Sequence, residues 1–420
     1  MASDQRPQAR YLMQASKQEY RHHADGMIWI IEEEGKISSM YHLRKYNITP
    51  FLSICLLLFL TACQSTTGAG AASVKSTPTP IVQASPTPTP TPGAWALQPT
   101  PTPILQTTTP TPVAPSASVV NTQKPVLAFY YMWYKTSSWS LSTMSDLPVS
   151  SYNSSDDATI DRQLQEATAA GITGFISSWW GPGDPTDQNF TKLLAHSTAL
   201  ENTTHIHFAS SIYFESDAPA LQGTAKIVSA LRYLMANDAK DPHFFHLQGK
   251  PVFFFWDPLG NGRTLAQWAS IRKQVDPHNT TIWSAEGVNM NLLTVFDGIH
   301  LFSGAYWGIQ HNNMNQVDQG FRAQVTAYNR AHKTQKIWAA GVVPGFNDAK
   351  VPGRTNHVIV ARNNGATYRS SWTGALSSSP DWVTITSFNE WFEGSMIEPS
   401  KTYKDLYMNI TQQYIKQWHG

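Results

Sequence analysis

The sequence predicts a (β/α)₈ barrel behind a non-globular N-terminal third. Three observations carry that expectation. From Lys124 onward, apolar runs of strand length recur eight times. The runs are continuous rather than alternating, which fits parallel strands covered on both faces. Segments of helical pattern lie between them, and strict alternation of strand and helix implies βαβ units with right-handed crossovers. Eight such units over residues 124–420 are the size of a (β/α)₈ barrel. A doubly wound open sheet is the competing architecture. It would usually carry a ligand motif at its first turn, and neither G-x-G-x-x-G nor G-x-x-x-x-G-K-[ST] follows any of the runs.

The first run is Val126–Tyr131, and a helix over Asp156–Ala170 follows it. Asp at the start and Gly171 at the end are the expected boundary signals of that helix. The second run is Ile172–Ser177 and the third Ile206–Ile212. The fourth is Val252–Trp256, introduced by Gly249-Lys-Pro251. Thr281–Ala285, Gly298–Phe302, Lys336–Ala340 and Trp382–Thr386 complete the set.

Composition narrows the function. The chain has 420 residues, 30 Lys+Arg against 29 Asp+Glu and a formal net charge of +1, so nothing electrostatic points to a nucleic-acid partner. Only 14% of residues are charged while 12% are aromatic, including 15 Trp. An aromatic-rich, charge-poor chain suits a ligand with apolar faces and many hydroxyls, and carbohydrate comes first. Cys55 and Cys63 are the two cysteines, which excludes a disulfide framework or a cysteine zinc site for everything after them. His205 and His207 alternate as metal ligands can, but the sequence offers them no third partner nearby, and no metal or cofactor is expected.

In a barrel the active site lies at the C-terminal ends of the strands. There the chain places Tyr131, Trp133 and Tyr134, then Trp179 and Trp180, then Tyr213 and Glu215, then Asp257 and Glu286. Tyr306 and Trp307 follow the sixth run. Asn347, Asp348 and Arg354 follow the seventh, and Asp348 with Arg354 reads as a loop brace. The eighth ends in Phe388-Asn389-Glu390-Trp391-Phe392-Glu393-Gly394, with a third acid at Glu398. Aromatics and carboxylates repeated at one kind of position make a sugar cleft. Its candidate binding residues are Tyr131, Trp133, Tyr134, Trp179, Trp180, Tyr213, Asp257, Tyr306, Trp307, Asn389 and Trp391. Glycosidic cleavage needs one carboxylic acid to protonate the leaving oxygen and a second carboxylate near the electrophilic carbon. Glu390 and Glu393 on one short loop meet that need, and neighbouring aromatics can desolvate one of them and raise its pKa. No G-x-S-x-G elbow is present.

Three segments also carry a resemblance. Val126–Tyr134, Ala170–Gly181 and Pro380–Pro399, with its Asn389-Glu-Trp-Phe-Glu-Gly394 block, resemble the endo-α-1,2-mannosidase/mannanase family, glycoside hydrolase family 99. Gly249–Asp257, Phe296–Ile299 and Val343–Phe346 match in kind, so the resemblance covers most of 124–420. It implies a (β/α)₈ barrel that cleaves internal α-mannosidic bonds with retention and without metal. By the same resemblance Glu390 is the base on the sugar's own 2-hydroxyl, which forms a 1,2-anhydro sugar, and Glu393 is the acid and then the base for water. The third run departs from the family: Ala209-Ser-Ser-Ile212 precedes Tyr213 where the mannosidases carry a His/Glu-containing stretch, which implies a changed substrate lining. Two other readings remain open, a non-catalytic carbohydrate-binding lipoprotein and a protein associated with polysaccharide biosynthesis. The retained Glu pair favours the enzyme.

The N-terminal third reads as an address and a tether. Phe51–Leu60 is an apolar run too short to span a bilayer. Basic residues Arg44 and Lys45 precede it, and Leu60-Thr-Ala-Cys63 ends it in the manner of the bacterial lipoprotein box, with Cys63 as the acylated residue. Residues 40–63 are thus expected to be a lipoprotein signal starting at Met40, and 1–39 an extension ahead of it. Residues 64–123 are Thr/Pro-rich, and repeated X-Pro favours extended geometry without a core. Such spacers run roughly 3 Å per residue. The expected product is an extracellular, cell-surface lipoprotein that meets the membrane only through its lipid, acts as a monomer and takes a carbohydrate substrate.

Overall fold

The computed structural model describes residues 124–302, 304 and 314–420, together with the backbone of three short strands near the N-terminus. Those strands, Glu19–His22, Met27–Ile31 and Ile37–His42, pair antiparallel, and the last runs through Met40. The expectation for 1–39 contained no such element. The signal, Cys63 and the Pro-rich segment lie outside the described residues, as do Tyr306 and Trp307. No helix among the described residues is long and apolar enough to cross a membrane.

Eight parallel strands close into a barrel. They are β1 Val126–Tyr130, β2 Gly174–Trp179, β3 Ser211–Glu215, β4 Lys250–Trp256, β5 Ile282–Glu286, β6 Gly298–His300, β7 Ile337–Val342 and β8 Trp382–Ile385. Each pairs with its neighbours in chain order, and β8 returns to β1 through Val383 opposite Val126. A short strand, His246–Leu247, turns back antiparallel on the start of β4. Around the barrel stand α1 Asp157–Ala169, α2 Pro185–Thr204, α3 Thr224–Ala236, α4 Leu265–Val275, α5 Met314–His332, α6 Ala366–Ser377 and α7 Leu406–His419.

Two expectations are corrected. Among the described residues six of the seven crossovers carry an α-helix, and α7 follows β8: between β5 and β6 the chain makes a 3₁₀ turn, Met290–Thr294, because Gly287–Asp297 is too short for a helical return. The third strand begins later than its apolar run. His205 ends α2 in a left-handed conformation (φ 61°), and 206–210 climb as a loop before pairing of barrel type starts at Ser211. Tyr213 and Glu215 are therefore strand residues rather than residues of the following loop.

Alternation along the strands divides the core in two. Leu127, Phe129 and Tyr131 from β1 and its end point into the barrel, with Ile176, Tyr213, Phe254 and Trp382. Val126, Ala128 and Tyr130 point outward to the helices, with Phe175, Trp179, Phe253 and Phe255. Inside, Phe129 lies 4.7 Å from Tyr213 and 5.0 Å edge-on from Phe302. Aromatics fill the interior, so the barrel is a packed core and its chemistry is confined to the rim. Gly174 is required where β2 starts, because a Cβ there would lie 1.7 Å from the Ala209 carbonyl oxygen.

Candidate active site

The loop after β8 is tied down residue by residue. Phe388 N–H donates to the Phe129 carbonyl (2.8 Å), and Ser387 Oγ accepts from Glu390 N–H (2.7 Å) and meets Ser395 Oγ (3.0 Å). Asn389 spends both ends of its amide on the main chain of Tyr131, accepting from its N–H (2.7 Å) and donating to its carbonyl (2.9 Å). Arg362 donates to the carbonyls of Gly394 (2.9 Å) and Met396 (2.7 Å) while its guanidinium lies 4.5 Å from the Tyr407 ring centre. Gly394 takes φ 57° at the tightest point, where a Cβ would lie 2.6 Å from Ser145 Oγ.

This frame holds Glu390 and Glu393 buried together at the barrel mouth. Glu390 Oε1 accepts from Tyr134 O–H (3.1 Å) and from Phe392 N–H (3.1 Å), and Tyr134 Oη in turn accepts from Trp391 N–H (2.9 Å). Burial pushes the Glu390 carboxyl well above the usual range, and the negative charge of Glu393 adds to the effect. Glu393 Oε1 pairs with Arg354 (3.0 Å), whose other arm holds Asp348 (2.7 Å). Burial raises Glu393 as well, and Arg354 opposes that rise. The brace expected between Asp348 and Arg354 is present, and the same guanidinium also grips the loop after β8.

More acids converge on the mouth. Glu215, at the end of β3, accepts from Ser178 O–H (2.6 Å), and burial lifts its pKa to about 8, with Glu393 contributing. Asp257 after β4 is lifted to about 6, first by burial and then by the charge of Asp217. The charges of Glu390, Glu215 and Glu393 all act on the buried Tyr131, and those of Glu286, Glu215, Asp257 and Glu393 act on Tyr213. Below them His300 meets Ser284 Oγ (3.0 Å) and Tyr213 Oη (3.3 Å), and burial alone drops its pKa to about 3, which keeps the ring neutral. Partly exposed Trp133 and Trp180 form one wall, with ring centres 5.9 Å apart. Several acids whose protonation is set by burial, beside aromatic faces, are equipped to bind hydroxyl-rich rings and to move protons at one bond.

The sequence profile described as "Glycosyl hydrolase family 99" matches residues 140–415. The chain belongs to glycoside hydrolase family 99. Among curated relatives of this family 99 chain, mouse "Glycoprotein endo-alpha-1,2-mannosidase-like protein" is 24% identical over 306 residues, covering 64% of this chain and 63% of the relative. Mouse "Glycoprotein endo-alpha-1,2-mannosidase" is 24% identical over 289 residues, covering 62% and 58%. The chain thus spans about three fifths of the length of the curated relatives it matches. The solved family 99 endo-α-mannosidase of Bacteroides thetaiotaomicron superposes with a TM-score of 0.60 at 20% identity, over 70% of this chain and 98% of that one. A "Glycoside hydrolase-like protein" gives 0.55 at 15% identity, over 73% and 97%. These superpositions place the family 99 barrel in the same fold.

Not every residue expected to line the cleft does so. Trp179 is fully buried on the outer face of β2, its indole N–H on Asp187 (2.9 Å). Trp391 is fully buried with its N–H on Glu398 (2.9 Å), and Asn389 has no polar atom left for a ligand. Tyr213 belongs to the top layer of the interior. Glu398 sits under the loop, where it accepts from Tyr152 (2.8 Å), Gln163 (2.8 Å) and Arg162 (3.0 Å) besides Trp391. Sequence reasoning missed Tyr152, Gln163 and Arg362, which announce themselves by no motif.

Proposed function

We propose that this family 99 barrel is a retaining glycoside hydrolase acting on α-mannose-linked glycans, held at the cell surface through a lipid on Cys63. The observation that carries the reading is the Glu390–Glu393 pair, two buried carboxyls with different partners on one loop. Glu390 accepts from Tyr134 O–H and Phe392 N–H and is raised by burial and by the charge of Glu393, and in its ionised form such a carboxylate is suited to drawing a proton from a sugar 2-hydroxyl. As that O2 attacks C1, the bond from C1 to the leaving oxygen breaks and Glu393 supplies the leaving oxygen with its proton. A 1,2-anhydro sugar results. Glu393, now a carboxylate beside Arg354, takes a proton from water. The water oxygen attacks C1, the C1–O2 bond opens, and O2 recovers its proton from Glu390. Two inversions at C1 give net retention. The balance between burial and Arg354 suits Glu393 to giving a proton in one step and taking one in the next. The names of the mannosidase relatives support α-mannosides as substrates.

Kinetics of two variants on α-mannosides test the proposal. Glu393→Gln should lose activity on natural leaving groups by a factor of about 10²–10⁴ and keep more on activated aryl glycosides, which need little acid help. Glu390→Gln should be crippled on both. Proton NMR of early wild-type hydrolysate should show the substrate's anomeric configuration. Inversion, or near-normal rates in both variants, would sink the assignment.

A further inference from the structure

The strand-entry end of the barrel, away from the carboxylates at the strand exits, gathers a second cluster. Glu201 on the last turn of α2, His207 on the loop leading to β3 and His243 ahead of β4 present ligand atoms that all lie within 4.8 Å of one another. Sequence spacing showed only the histidines at 205 and 207. The fold leaves His205 out as the cap of α2 and supplies the missing partners from Glu201 and His243.

Their geometry asks for a cation. His243 is buried, and its Nδ1 faces the Phe208 carbonyl at 3.1 Å. A carbonyl only accepts, so Nδ1 carries a hydrogen, and Nε2 is the atom turned toward Glu201 Oε2, 3.2 Å away. The same oxygen lies 3.1 Å from His207 Nδ1. Nε2 of His243, Nδ1 of His207 and the Glu201 carboxylate thus converge on one point, where a cation would be shared by all three. The two imidazoles lie against each other with ring centres 4.9 Å apart, so both present a nitrogen to the same carboxylate from one side. One metal ion would meet all three ligand atoms at once. Glu201 adds a second reason. It places a carboxylate at a helix C-terminus, the negative end of the macrodipole, where an anion is disfavoured unless a cation compensates.

We infer that Glu201, His207 and His243 form a binding site for a divalent transition metal of the zinc class. Bonds of about 2.0–2.1 Å to imidazole nitrogen give a tetrahedral ligand–ligand edge of about 3.3 Å, close to the two N···O separations here. The third edge closes by a small swing of the exposed His207. The Phe208 carbonyl behind His243 is the outer-shell partner that fixes a ligand's tautomer and aim. Two imidazoles and a carboxylate suit zinc, with a fourth position open to water. The site would clip the end of α2 to the segment entering β4, a structural role remote from the glycan cleft.

Equilibrium dialysis of the full chain against Zn²⁺ after stripping with chelator, read by elemental analysis, tests the assignment. Wild type should bind one equivalent more than either His207→Ala or Glu201→Gln. Zn²⁺ should raise the wild-type melting temperature and leave that of both variants where it stands without metal. Both changed side chains are partly exposed, so all three proteins should melt alike in chelator, and Co²⁺ should give visible tetrahedral bands only in wild type. Equal stoichiometry in all three, or no Zn²⁺ bound by wild type, would overturn the site.

Discussion

Glu393 is held between opposing influences, and Arg354 is the adjustable one. Removing the guanidinium in Arg354→Gln takes away the interaction that favours the carboxylate, so the pKa of Glu393 should rise, and that of Glu390 with it because Arg354 lowers both. A higher pKa on the acid keeps its proton to higher pH, and a higher pKa on the base demands higher pH for its ionisation. Both limbs of the pH profile of kcat/KM should therefore move upward while the maximum falls about tenfold or more. A profile that stays in place, or moves toward acid, would show that Arg354 only braces its loop. The glutamate doublet is legible in the sequence because it follows an apolar run and precedes Gly394. Arg354 reads only as a partner for nearby Asp348, since its reach to Glu393 depends on two strand ends being neighbours. Trp179 illustrates a different error: being an aromatic at a strand end does not decide which face it occupies. Counting in twos from Ile176, which points inward, sends Trp179 outward.

At the level of elements, the loop after β8 is as much a folding problem as a chemical one. Glu398 accepts four hydrogen bonds from Tyr152, Arg162, Gln163 and Trp391, so its carboxylate ties that loop to α1 and to the long connection after β1. Glu398→Gln would turn one acceptor oxygen into a donor facing donors and remove the charge from a buried partner. A loss of about 2–4 kcal/mol is expected, measured by the urea midpoint at constant slope. A midpoint within about 0.5 kcal/mol of wild type would show that Glu398 is dispensable to the fold. Seven helices and eight strands follow from patterning that the sequence displays openly. The third strand is misplaced because Ser210 and Ser211 interrupt its apolar run, and both are buried by pairing that the run itself does not reveal: Ser210 bridges to Phe244, and Ser211 lies opposite Ile176.

For the whole molecule, the barrel closes on itself using residues after Lys124. Deleting residues 1–123 should leave kcat/KM and melting temperature unchanged and move the protein from the membrane to the soluble fraction, as Cys63→Ser should also do. Lost activity in the deletion, or membrane retention of the Cys63 variant, would contradict the division into tether and enzyme. The closure has one more consequence. His419 Nε2 meets the Lys124 carbonyl at 3.0 Å, and the Lys124 ammonium lies 5.5 Å from the Trp418 ring centre. The entrance to β1 and the exit from α7 are thus adjacent, and the eight units form a ring whose seam happens to fall there. A short peptide joining Gly420 to Lys124 would span that seam, and the exposed turn at Pro277–Thr280 would serve as new ends without parting any strand pair. The order of genetic reading is therefore incidental to this barrel: a chain begun just ahead of β5 should close the same ring.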